Sequence, residues 1–116
     1  YCKSNGNNKC MLNVGAGRFR HSHWINVDLK VSSVSVDWRN SDINHDLMSH
    51  AVLPFHDETV DAIYSSHTME HRPQDAVDFF FADAKRMLKP GAVMRISVPN
   101  TDLAIDSFFR GDKRFF

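Results

Sequence analysis

Cys10-Met11-Leu12-Asn13-Val14-Gly15-Ala16-Gly17 is the stretch on which the fold of this chain turns. A short apolar run that breaks directly into glycines is the pattern of a buried strand ending in a tight turn. There, small residues let a ligand approach the backbone and leave N–H groups facing outward. Trp24-Ile25-Asn26-Val27 is a second apolar run, reached by an unusually brief connection and closed by Asp28. A third strand lies between Lys30 and Asp46, where Val34, Val36 and Trp38 alternate with polar residues and Ile43 leads into His45, Asp46 and Leu47. Val60 to Tyr64 form a fourth strand that delivers Ser65, Ser66 and His67 at its carboxyl end.

Beyond it, Pro73 opens a helix on which Val77, Phe80, Phe81, Ala84, Met87 and Leu88 share one face. Lys89-Pro90-Gly91 stop that helix, and Ala92 to Val98 form a fifth strand closed by Pro99. The remainder from Thr101 is predicted as a short helix with Leu103, Ile105, Phe108 and Phe109 turned inward. The polar residues 1–9 read as a loose lead-in, so the ordered domain is expected over residues 10–116. Strands separated by helices or crossover loops predict an α/β fold, a Rossmann-like, mostly parallel sheet with helices on both faces. Such sheets bind ligands at the carboxyl ends of their strands, which singles out Gly15 to Gly17, Asp28, Asp46 and Ser65 to His67.

Composition narrows the classes of function. With 14 basic and 14 acidic residues, there is no broad electrostatic attraction for nucleic acid or an anionic membrane. No apolar run approaches the roughly 18 residues of a membrane span. Cys2 and Cys10 are too few and too near one end to make a disulfide framework. With no signal-peptide pattern before them, a reducing, cytoplasmic setting is expected. The opening Tyr1 and the closing Phe115-Phe116 read as the ends of a piece of a longer protein.

Gly15-Ala16-Gly17 alone is as readily a plain turn as a ligand cradle. Asp28 strengthens the second reading, because an acidic residue ending the second strand of such folds accepts the hydroxyls of an adenosine ribose; its plainer role is to cap the next turn. Asp46 adds a carboxylate that can accept from an adenine amino group or form an Asx-turn.

These segments, with Leu53-Pro54-Phe55, Val60-Asp61-Ala62-Ile63-Tyr64, Glu70-His71, Arg86-Met87-Leu88-Lys89-Pro90-Gly91 and Arg95-Ile96-Ser97-Val98-Pro99-Asn100, resemble class I S-adenosylmethionine-dependent methyltransferases of the type 11 group, from about Cys10 to Asp102. The resemblance implies that Asn13, Gly15, Ala16 and Gly17 border the methionine and ribose parts of S-adenosylmethionine. It implies that Asp28 holds the ribose hydroxyls and that Leu29 packs on the adenine. It further implies that Asp46 and the Leu47 backbone bond that ring, and that Ser65, Ser66 and His67 border the methionine tail and the transferring methyl group. Asn13 and Ala16 stand where many relatives have an acidic residue and a small Cys or Ala, and Asn100 stands where Asp is common. The family's sheet has seven strands, and the 18 residues after Val98 cannot hold the last two, so the sheet is expected to stop after about the fifth. An edge left open in this way predicts self-association. The acceptor is expected to be a small molecule, saccharide-like chemistry included, with no strong nucleic-acid signal and no membrane. His67 is the candidate base for a hydroxyl or amine acceptor.

Three other readings compete. His67-Thr68-Met69-Glu70-His71 spells H-x-x-E-H, an inverted zinc-protease motif, but no Glu follows Glu70 to serve as third ligand and Pro73 cuts short the helix it needs, so no metal is expected. An NAD-type oxidoreductase wants a third glycine where Arg20 stands and an acidic residue farther on than Asp28. A non-catalytic binding or assembly module would keep the fold without the chemistry. Arg18, Arg20, His21 and His23 make a small basic patch in the first loop, either solvated or placed to line the cofactor entrance or meet an anionic acceptor.

Overall fold

A computed structural model describes residues 8–29 and 41–114. Five strands form one parallel sheet: β1 (Met11–Val14), β2 (Ile25–Asp28), β3 (Ile43–Asn44), β4 (Val60–Ser66) and β5 (Leu88–Ser97). Their spatial order is β3-β2-β1-β4-β5, which places the ends of β1, β2 and β4 side by side at the point where the order reverses. Helix α1 (Gln74–Met87) links β4 to β5, and α2 (Thr101–Phe109) follows β5. The expected α/β class and Rossmann-like sheet are both present. Val34, Val36 and Trp38, which were expected to contribute to the third strand, lie outside the described residues.

Alternation decides the two faces of the sheet. Leu12 and Val14 pair with Ile25 and Val27 on one side and with Ile63 and Ser65 on the other, and this face is buried. Phe80, Ala84 and Met87 of α1 join it in one apolar core with Leu53, Phe55 and Met69. The opposite face carries Asn13, Asn26 and Tyr64. No helix forms between Gly15 and Trp24, so this brief connection covers the face as a loop.

Two buried amides fasten that loop. Asn13 Nδ2 donates to the Phe19 carbonyl at 2.8 Å and to Asn26 Oδ1 at 3.1 Å. Asn26 Oδ1 also accepts from the His21 N–H at 3.0 Å, and its Nδ2 lies within 3.2 Å of the His21 and Trp24 carbonyls and of Asp42. Apolar residues at these two positions would orphan the loop's backbone groups.

Two expectations are corrected. First, β5 begins at Leu88 rather than Ala92. Leu88 already pairs with Val60, and an irregularity between Val60 and Ala62 absorbs Lys89-Pro90-Gly91 before Val93 resumes the ladder. Second, α2 does not bury Leu103, Ile105, Phe108 and Phe109, which are 50 to 81% exposed; Ser107 is its buried residue. Apolar spacing marked a face there, but no described element covers it. Cys10 is disulfide-bonded.

Candidate functional site

The glycine turn is built by its neighbours. Gly15 and Ala16 donate their N–H groups to the Val27 carbonyl at 2.9 and 3.3 Å, and Gly17 donates to Asp28 Oδ2 at 2.5 Å. The N–H groups expected to face outward are therefore spent on the end of β2. Asp28, which takes the Gly17 N–H, is the group that faces the ligand space. Its Oδ1 accepts from the Leu29 N–H at 2.8 Å. A carboxylate oxygen has two lone pairs, so each oxygen can accept one further donor.

Gly15 and Gly17 both have positive φ, +70° and +51°, but for different reasons. A Cβ on Gly15 would fall 2.1 Å from Thr68 Oγ1, whereas one on Gly17 would meet no atom within 4 Å beyond its chain neighbours among the described residues. Thr68 is buried, with Oγ1 3.1 Å from the Ser66 carbonyl and 3.4 Å from that of Gly15. It ties the end of β4 to the end of β1. His67 also has a positive φ, +51°, and its side chain is exposed, with Nδ1 3.4 Å from Glu70 Oε1.

A hollow of about 360 Å³ lies here, lined by Gly17, Arg18, Asp28, Thr68, His71 and Arg72. A second hollow, of about 600 Å³, adjoins it on the second sheet face, and the two share Gly15, Ala16, Phe19, Ser66 and His67. Asn13 lines the larger one. Of the residues singled out from the sequence, Asn13, Gly15, Ala16, Gly17, Asp28, Ser66 and His67 are thus brought together. Four are not. Leu29 is exposed beyond Asp28, and Asp46 Oδ1 accepts from the Met48 N–H at 2.9 Å, an Asx-turn. The Leu47 side chain faces a small hollow beside His45 and Phe80, and Ser65 is buried on the core face with Oγ unpartnered.

His45, in that small hollow, is held below the usual imidazole range by burial, against the pull of Asp83 and Asp46. Sequence reasoning missed Thr68 and Arg72. Arg72 lines the smaller hollow, and its buried Nε has no hydrogen-bond partner among the described residues. A buried polar strand residue such as Asn26 is detectable by its break in the apolar run, but nothing local marks Thr68 or Arg72.

The rival readings fare differently. Glu70 Oε1 sits between the imidazoles of His67 and His71, at 3.4 and 3.8 Å, and no group of three or more His, Cys, Asp or Glu side chains placed to hold a metal occurs among the described residues. The absence of a helix after the glycine turn removes the helix N-terminus on which a dinucleotide's pyrophosphate would rest. No helix among the described residues is long and apolar enough to cross a membrane.

No curated protein and no solved structure matches the chain. A sequence model described as a methyltransferase domain matches residues 8–96, the whole span from the first strand into the fifth. With the glycine turn, Asp28 and the parallel order β3-β2-β1-β4-β5 in place, the chain belongs to the methyltransferase domain family, of the class I type.

Proposed function

We propose that the chain binds S-adenosylmethionine in the hollow at Gly17 and Asp28 and transfers its methyl group to a small acceptor. The observation that carries this reading is the pairing of an unfilled space at Gly17 with a carboxylate fixed beside it. Asp28 would take the ribose hydroxyls. The orphaned Nε of Arg72 marks a guanidinium short of an anionic partner, and the methionine carboxylate would be one. Leu29, Asp46 and Leu47 would serve the adenine end; Asp46 Oδ2 carries no hydrogen bond among the described residues.

When bound, that cofactor supplies a methyl group already activated by a sulfonium, so alignment is the protein's main task. His67 stands where the two hollows meet and would take the proton of a hydroxyl acceptor.

Isothermal titration and thermal unfolding test the reading. S-adenosylmethionine and S-adenosylhomocysteine should raise the melting temperature, by the equivalent of about 2.7 kcal/mol at a hundredfold excess over Kd, and NAD should not. Asp28→Asn should weaken S-adenosylhomocysteine about tenfold or more, by removing a charge-assisted acceptor. Binding that is absent in the parent, or unchanged in the variant, argues against this site.

We also propose that a second copy pairs along β5. The strand runs from Leu88 to Ser97 at the edge of the sheet, with Val93 65% exposed on it. Light scattering on gel-filtered protein should show a mass that rises with concentration; a monomer at every concentration removes the pairing.

A further inference from the structure

The cofactor proposed above takes the smaller hollow and leaves the larger one open beyond the wall they share. At about 600 Å³ it lies within the roughly 300–1,000 Å³ of small-molecule sites. Phe19, His21 and Tyr64 give it three ring walls. His21 meets Tyr64 edge-on, with centroids 6.4 Å apart and planes at 79°, and Trp24 braces both from 5.7 and 6.4 Å. A planar ring is the shape that extends such an edge-to-face cluster.

The charge of the lining is one-sided. Arg20 and the imidazoles of His21 and His67 line the hollow, and among the described residues no carboxylate does. Arg20 reaches Asp42 only at 4.0 Å, and Asp42 Oδ2 already accepts from the Asn26 backbone N–H and from Nδ2. A guanidinium has five N–H donors, so most of Arg20's remain for a second acceptor. Protonated amines are therefore disfavoured here and anions favoured.

The floor adds a third feature. Asn13 is 3% exposed and spends Nδ2 on Phe19 and Asn26, while its Oδ1 has no hydrogen bond among the described residues. Because Asn13 lines the hollow, that oxygen is open to a ligand hydroxyl.

We infer that this hollow binds a planar aromatic carboxylate bearing a ring hydroxyl. Its role as the methyl acceptor's seat rests on the function proposed above, but its capacity to bind does not.

The test is titration of the whole chain, by calorimetry and ligand-observed magnetic resonance, with 4-hydroxybenzoate, phenol, cyclohexanecarboxylate and glucuronate. 4-Hydroxybenzoate should bind most tightly, with the non-aromatic acids about tenfold weaker or more. His21→Ala and Arg20→Gln, both in exposed side chains, should each weaken it about five- to tenfold. Arg20→Gln should leave phenol unaffected, and Asp28→Asn should leave 4-hydroxybenzoate unaffected. Loss of S-adenosylhomocysteine binding alone would strike the cofactor reading and spare this one. Three results would overturn it: glucuronate binding as well as 4-hydroxybenzoate, indifference to both His21→Ala and Arg20→Gln, or competition between 4-hydroxybenzoate and S-adenosylhomocysteine.

Discussion

Gly15→Ala should destabilise the chain by about 2–4 kcal/mol, whereas Gly17→Ala should leave it folded and unable to take the cofactor. At Gly15 the new methyl group would lie 2.1 Å from Thr68 Oγ1 and 2.5 Å from Thr68 Cγ2. Thr68 is β-branched and 5% exposed, so it has little freedom to turn away. Overpacking then adds to the cost of holding an alanine at φ +70°. Such a loss is a large share of the 5–15 kcal/mol that holds a small domain together.

At Gly17 only the backbone penalty of about 1 kcal/mol applies, because among the described residues no atom beyond its chain neighbours stands within 4 Å of the new methyl. That methyl would occupy the hollow instead. Urea unfolding of both variants, with S-adenosylhomocysteine titrated into whichever folds, separates the two roles. A Gly15→Ala protein as stable as the parent would mean that the Thr68 contact is not as described. A Gly17→Ala protein that binds normally would move the cofactor elsewhere.

Arg86→Ala should cost about 3–5 kcal/mol, because it strands a buried carboxylate. Asp83 is 6% exposed; its Oδ2 accepts from the Leu53 N–H at 2.8 Å, and its Oδ1 lies 2.8 Å from Arg86 Nε. The same guanidinium donates to the Phe55 carbonyl at 2.7 Å, the Leu53 carbonyl at 3.2 Å and Asp57 at 2.8 Å. One side chain thus ties α1 to the Leu53-Pro54-Phe55 turn that enters the core. Arg86→Lys should recover little, since one ammonium cannot span a fork of four acceptors. Arg110, exposed and paired with Asp106 one helical turn away, is the control: its alanine variant should lose no more than about 0.5 kcal/mol. Equal losses in the two variants would show that the Arg86 network is no stronger than a surface pair.

Much of the site was legible because its signals are local. Gly15 and Gly17 follow, and Asp28 ends, a strand whose apolar pattern is plain in a few residues, and α1 repeats its apolar face over several turns. Where the reading slipped, a distant partner had decided the outcome. Pro90 and Gly91 look like a stop, yet Val60 recruits Leu88 into the ladder ahead of them. The N–H groups of the glycine turn look available, yet the Val27 carbonyl takes two of them. Ser65 and Ser66 look alike, but the pleat turns one into the core and the other toward the hollows.

The sequence by itself determined the strands, the turn and the acidic end of β2, because backbone conformation and alternation are settled by neighbours along the chain. Tertiary structure alone decided that Thr68 closes on Gly15, that Asn13 and Asn26 fasten a loop in place of a helix, and that rings from that loop and from β4 enclose a second hollow. Those are contacts between segments far apart in sequence, and no local pattern encodes which side chains will meet.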